Sequence, residues 1–178
     1  MAEMRMPLGG HDARIGGLRI AERPLAVVSI AVMRGADAAF ERALAEAYGA
    51  ARPEPGRFTE GEGRMLLWSA PEQMLMVWED GHPDASRTVR AALGDASYVT
   101  LQTDAFACIE VTGPAIPALE RICPLDLARM EPGHGARTMM EHMGAYVLRT
   151  RAGWLLMSAS SSARSFLHAV EVSARNAA

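Results

Sequence analysis

The order of apolar runs and turn signals predicts an α+β fold made of two abutting ferredoxin-like lobes of the βαββαβ type. Three observations carry this. From Leu25 the elements read β-α-β-β-α-β. From Ala105 they read β-α-β-β-β-α and stop one strand short of the same unit. A further strand, Gly17–Arg23, stands ahead of both and is available to fill the gap. The first lobe is therefore expected over residues 17–103, with strand 17–23 crossing to a second lobe over 104–178. Residues 1–16, bracketed by Gly9, Gly10, Gly16 and Gly17, read as a flexible N-terminal tail.

Each element has a local cause. Leu18 and Ile20 alternate with Arg19 and the run ends at Pro24, which makes a short strand. Leu25–Met33 is apolar and β-branched, the pattern of a strand buried on both faces. Asp37 is placed to cap a helix whose apolar face is Phe40, Leu44, Ala47 and Tyr48, with Gly49 just past its end. Residues 50–63 hold two prolines and three glycines and are expected to be irregular. Arg64–Ala70 and Gln73–Glu79 flank Pro71-Glu72 as a hairpin, and Asp84 precedes a helix through Val89 and Leu93. Tyr98–Thr103 and Ala105–Thr112 are strands. Gly113-Pro114 opens a helix with an inward stripe of Ile116, Leu119, Ile122 and Cys123. Arg137–Glu141, Ala145–Thr150 and Trp154–Ser158 are strands, and Ser160–Ser162 precedes a last helix carrying Phe166 and Val170 inward.

Composition excludes several classes of chemistry. Of the 178 residues 49% are hydrophobic, and the formal net charge is −3. All 18 basic residues are arginine, so a Schiff-base lysine, a lysine nucleophile and a Walker-type phosphate lysine are ruled out. The arginines are scattered among 21 acidic residues with no basic block, which argues against nucleic acid. The longest apolar run, Leu25–Met33, is far shorter than the ~20 residues a membrane helix needs. The N-terminal segment lacks an apolar signal region, so a cytoplasmic location is the expectation.

The candidate sites are sparse. Cys108, Cys123, His134 and His142 could supply zinc ligands, but their spacing is unlike that of structural zinc sites, which pair ligands two to five residues apart. Cys123 could act as a nucleophile with His142 or His134 as base and Asp126 as orienter, yet it sits at a helix C-terminus, where the macrodipole disfavours a thiolate. Gly61-Glu62-Gly63 and Gly133-His134-Gly135 do not connect a strand to a helix as a phosphate cradle must. No catalytic set, bound metal or bound cofactor is expected on this chain. Arg137 starts a strand, and Arg164 lies in the first turn of a helix, where a cation is disfavoured; each invites a carboxylate partner on this chain or another. Twelve methionines, including Met65, Met74, Met76, Met139, Met140, Met143 and Met157 in or beside strands, suit a core or a protein interface.

The C-terminal half carries a sharper signal. Val111–Ala115 (Val-Thr-Gly-Pro-Ala), Leu119–Leu127 (Leu-Glu-Arg-Ile-Cys-Pro-Leu-Asp-Leu), Ala136–Met143 (Ala-Arg-Thr-Met-Met-Glu-His-Met) and Ala163–Ala169 (Ala-Arg-Ser-Phe-Leu-His-Ala) resemble the gamma subunit family of heterotetrameric sarcosine oxidase. The likeness continues more loosely through Arg23-Pro24-Leu25, Pro55–Phe58 and Leu67–Leu75, where Met74 replaces the family's usual aromatic; it covers about residues 17–174. The resemblance implies an aminomethyltransferase-like, folate-binding architecture. It also implies a non-catalytic chain in a complex with alpha, beta and delta subunits. That complex demethylates sarcosine, or a related N-methyl amino acid, to glycine, passing the one-carbon unit to tetrahydrofolate or releasing formaldehyde. FAD, FMN, NAD and zinc are expected on the other subunits. The expected partner surface includes Cys123, Pro124, Leu125, Asp126, Leu127, Arg137, Met139, His142 and Arg164. The alternative from a different class is a free-standing folate- or small-molecule-binding module.

Overall fold

The computed structural model describes residues 6–79 and 81–177. The chain divides into two compact units, one of residues 25–103 and one of the described residues 6–24 together with 104–177.

The N-terminal segment departs from the expected tail. Residues 1–5 lie outside the described residues, but β1 (Asp12–Ile15) and β2 (Leu18–Glu22) form an antiparallel hairpin. The turn between them is Gly16-Gly17, with φ of 57° and 79°. Two consecutive left-handed residues make a type I′ turn, whose twist matches the strands and which glycine adopts without penalty. Ahead of β1, the buried Glu22 carboxylate accepts hydrogen bonds from the backbone N–H groups of Leu8 (2.8 Å) and Gly10 (2.7 Å). A buried carboxylate must be hydrogen-bonded, and these two donors satisfy it while fixing residues 8–10.

The first unit contains β3 (Ala26–Val32), α1 (Asp37–Tyr48), β4 (Phe58–Gly61), β5 (Arg64–Ala70), β6 (Gln73–Trp78), α2 (Ala85–Leu93) and β7 (Ser97–Leu101). Its sheet is antiparallel with order β4-β5-β6-β3-β7. Without β4 this is the ferredoxin-like arrangement. Val28, Ile30, Leu66, Met76 and Val99 pack against Phe40, Leu44, Val89 and Leu93 from the helices. Within the expected irregular stretch, Phe58 is buried and pairs with Leu67, and that anchor draws four residues into β4. Asp37 is the first helical residue rather than the cap; its carboxylate lies 3.1 Å from Arg52.

The second unit contains β8 (Phe106–Thr112), α3 (Ile116–Leu119), β9 (Gly135–Met140), β10 (Met143–Arg149), β11 (Trp154–Ala159) and α4 (Ala163–Asn176), with the β1–β2 hairpin. The sheet order is β1-β2-β8-β11-β10-β9. Ile20 of β2 pairs with Val111 of β8, so β2 holds the position that β7 holds in the first unit. Ile20, Ile109, Val147, Trp154, Leu156, Phe166 and Val170 form its core. The helix expected to run to Cys123 is a single turn, Ile116–Leu119, followed by turn residues 120–122; Pro124 keeps Cys123 itself out of the helical region. Ser173 Oγ donates to the carbonyl of Ala118 at 2.6 Å and ties α4 to that turn.

Candidate partner interface

The residues of the expected surface separate into two groups. Cys123 (5% exposed) and Leu127 (0%) are core residues of the second unit, so they do not present themselves to another chain. The apolar residues of the segment 123–127 turn inward while Pro124 and Asp126 stay exposed, and Leu125 is partly buried against the core. Arg137, Met139, His142 and Arg164 are exposed.

β9 is an edge strand of the second sheet. A two-residue hairpin loop makes the flanking pair, Met140 and Met143, hydrogen-bonded, and the pairs then alternate. The backbone N–H and C=O groups of Arg137 and Met139 consequently face away from β10. Both side chains lie on the outer face of the strand. Met139 is 54% exposed, whereas Met65, Met74, Met76, Met140 and Met157 are buried, so core filling accounts for most of the methionines in or beside strands. The Arg137 guanidinium lies 5.8 Å from the ring centroid of Tyr146, a cation–π distance. Beside it is a recess of about 390 Å³ lined by Phe106, Tyr146 and Met157. Arg164 is exposed in the first turn of α4 without a carboxylate partner among the described residues.

The β9–β10 turn is Glu141-His142, with φ of 45° and 65°. For residues with a Cβ the left-handed region costs roughly 1–2 kcal/mol each, and Asn-Gly would form this turn more cheaply. The Glu141 backbone N–H donates to the Ile122 carbonyl at 3.1 Å, which anchors the turn to the α3 exit. A groove of about 650 Å³ runs between this turn and α4; Ile122, Met143 and Val172 supply apolar lining, with Arg121, His142 and His168 among its polar groups. The sequence reading missed the α4 side of this groove. The spacing of Ser165, His168, Ala169, Val172 and Asn176 is a helical stripe, but its polarity hid it behind the core stripe of the same helix.

The thiols and imidazoles weighed as reactive groups lie in unactivated surroundings among the described residues. Burial, and to a smaller extent the Glu22 carboxylate, pushes the Cys108 thiol up to about 12. Burial also raises Cys123, against a partial opposing effect from the Leu125 backbone. Both therefore stay protonated, and a thiol is a poor nucleophile and metal ligand. His134 Nδ1 accepts the Glu131 N–H at 2.7 Å in a loop turn. Among the described residues no group of three or more His, Cys, Asp or Glu side chains is arranged to hold a metal ion. Gly61-Glu62-Gly63 forms the β4–β5 turn and Gly133 precedes β9, so neither glycine pair opens a helix. No described helix is long and apolar enough to cross a membrane.

Two such units, with a strand from the chain start completing the second sheet, define an aminomethyltransferase-type α+β fold. The structure of the glycine cleavage system aminomethyltransferase T from Bartonella henselae superposes with a TM-score of 0.66 at 13% identity, covering 97% of this chain and 61% of that one. The chain is similar, more particularly, to the gamma subunit of sarcosine oxidase. It is 38% identical over 89 residues to the gamma subunit from Corynebacterium sp. (strain P-1), covering 48% of this chain and 43% of the relative. The gamma subunit from Arthrobacter sp. is 33% identical over 88 residues, again 48% and 43%. The matched segment thus spans less than half the length of these curated relatives. A chain of the heterotetrameric sarcosine oxidase from Corynebacterium sp. U-96, in complex with pyrrole 2-carboxylate, superposes with a TM-score of 0.79 at 21% identity. That match covers 96% of this chain and 90% of the other. No family model matches the sequence.

Proposed function

We propose that the chain is the gamma-type subunit of a sarcosine-oxidase-like heterotetramer in the cytoplasm, and that it contributes assembly rather than chemistry. The observation that carries this reading is the agreement of two comparisons: local sequence similarity points to the gamma subunit, and a fold match over 96% of the chain is to a chain of a heterotetrameric sarcosine oxidase. In this reading alpha, beta and delta subunits surround it, hold FAD, FMN, NAD and zinc, and oxidise sarcosine or a related N-methyl amino acid to glycine. The one-carbon unit passes to tetrahydrofolate or leaves as formaldehyde. The buried cysteines, whose thiols burial pushes up, support a structural role for them. The free-standing folate-binding alternative gains no such support.

The exposed edge of β9, with Arg137 and Met139, is the surface we assign to partner contact, together with Arg164 on α4. Truncating a central anchor of an interface commonly costs about 2 kcal/mol or more. Arg137→Ala and Arg164→Ala should therefore lower the amount of complex recovered with the flavin-bearing chains, while turnover per assembled complex stays near the wild-type value. Normal assembly with turnover reduced by orders of magnitude would instead give the chain a catalytic role.

A further inference from the structure

A sheet edge offers backbone N–H and C=O groups that another strand can pair with, and proteins blunt such edges by keeping them short, charged or covered. Among the described residues the two sheets end in four edges, β1, β4, β7 and β9. Three of them are blunted. β1 has four residues, and its Asp12 holds Arg19 through two bonds of 2.7 and 2.9 Å. β4 also has four, with Glu60 among them. On β7 the Arg90 guanidinium donates to the Val99 carbonyl at 3.1 Å, so a side chain already covers the middle of that edge.

β9 lacks each of these devices. It has six residues, contains no proline, and pairs with β10 from Gly135 to Met140 without a bulge. Its one charged side chain, Arg137, is drawn back over the Tyr146 ring of β10, along the face of the sheet rather than across its edge. No described residue bonds the outward N–H and C=O groups of Arg137 and Met139, whereas Glu141 beyond them already donates its N–H to Ile122. Alternating main-chain donors and acceptors of this kind are matched by the backbone of an extended polypeptide, not by a small molecule.

Charge decides which polypeptide. Arg137 has no carboxylate partner among the described residues. A strand laid beside β9 projects side chains onto the same face, so an acidic residue there completes the pair. A second copy of this chain brings arginine instead. Pairing antiparallel through the same two residues, it sets the two Arg137 side chains diagonally on one face, where long side chains reach each other and like charges repel.

We propose that an extended segment of a partner subunit adds to β9 as a seventh strand of the second sheet. It pairs with the main-chain groups of Arg137 and Met139 and carries a carboxylate side chain beside Arg137. The proposal rests on the assembly reading above and adds to it how the contact is made.

The test is residue-resolved hydrogen exchange on the full chain, alone and in the complex co-expressed with its flavin-bearing chains. The amides of Thr138 and Met140, which bond β10, should be protected in both. Those of Arg137 and Met139 should exchange freely in the isolated chain and slow at least about tenfold in the complex. Met139→Pro removes one outward donor at a position where an edge strand tolerates proline. It should lower recovered complex about fivefold below Met139→Ala, the effect of one main-chain hydrogen bond. Arg137→Glu should lower recovery further than Arg137→Gln, and equal recovery of the two would overturn the carboxylate. If the complex forms and both outward amides exchange in it as freely as in the isolated chain, no strand adds to β9, although the assembly reading stands. If wild type recovers no flavin-bearing chain, that reading fails and the proposal falls with it. A dimer of the isolated chain in native mass spectrometry, with the same two amides protected, would make the occupant a second copy and overturn the proposal.

Discussion

The two units solve one architectural problem in different ways. Each has a helix-covered antiparallel sheet in which the first strand of the βαββαβ order sits between the third and the fourth. In the first unit the fourth strand, β7, follows α2 directly, and every pairing lies within residues 25–103. In the second unit the fourth position goes to β2, which precedes the rest of the unit by some eighty residues; Ile20 meets Val111 across ninety residues of intervening sequence. The helices differ too: α1 has 12 residues, whereas α3, at the equivalent place, has four. A sheet position, then, is defined by the surface to be covered, not by chain order. The second unit closes its sheet only by a long-range pairing, whose loop-closure entropy is larger. Glu22 strengthens that pairing by clasping residues 8–10.

The largest test of this difference removes the donated strand. A chain beginning at Leu25 lacks Leu18 and Ile20, two core side chains of the second unit. Fully burying such a residue contributes roughly 1.5–3 kcal/mol, so the pair alone rivals the low end of ordinary domain stability, about 5 kcal/mol. The β2 pairing is lost as well, which leaves that edge of β8 bare. Hydrogen exchange should show residues 106–112 deprotected in the shortened chain while β3 and β6 keep their protection. Equal deprotection of both units would mean that they do not stand as separate cooperative bodies.

A matched pair of cavities sharpens the same point. Phe40 of α1 and Phe166 of α4 are each 0% exposed, one in each core. Replacing a buried phenylalanine by alanine costs about 3–5 kcal/mol. Phe40→Ala should deprotect amides of the first unit and Phe166→Ala those of the second. Thermal unfolding followed by exchange would separate the two. If either variant loosens both units alike, their unfolding is coupled and the comparison above describes topology only.

What the sequence disclosed follows from how local each cause is. Element order was legible because period-2 and period-3.6 patterns, glycine ends and proline turns are written in adjacent residues. β4 was missed because its one strong determinant is the burial of Phe58, which depends on Leu67 across the hairpin. The N-terminal tail was misread for the same reason: a carboxylate at Glu22 holds residues 8 and 10, and no local pattern announces that partner. The apolar stripe Ile116, Leu119, Ile122 and Cys123 points inward, but the regular helix stops at Leu119 and the rest of the stripe is carried by turn residues, a boundary that spacing alone does not mark. At the candidate interface, exposure of Arg137, Met139 and His142 could be expected from an edge strand and its turn. Cys123, expected inward on its helical stripe, is indeed buried and for that reason is not contact surface; burial of Leu127 could not be expected, since it turns inward only once the core of the second unit exists.

The smallest expected effect separates the units by pH. The second unit contains both cysteines, and Cys108 lies on β8, beside the donated strand. Its thiol is pushed up to about 12 from an ordinary 9.0, by burial first and by the Glu22 carboxylate second. Between those values the folded chain holds a proton that the unfolded chain releases, so ∂ΔG/∂pH of unfolding is negative. The contribution of Cys108 is fully present below pH 9 and is lost as pH rises toward 12. One pH unit above the unfolded value, about 1 kcal/mol of it has been lost. The first unit contains no cysteine; its corresponding group is Tyr48, raised from 10.0 by burial with Arg64 opposing, so its alkaline loss begins about a unit higher. Hydrogen exchange between pH 8 and 10, corrected for the intrinsic rate, should therefore show the second unit losing protection first. Cys108→Ala should flatten that slope, with only a modest stability change at pH 7 because a small buried side chain replaces another. If the variant keeps the wild-type slope, some other group governs the alkaline limit of the second unit, and the thiol beside β2 has no part in the difference between the two.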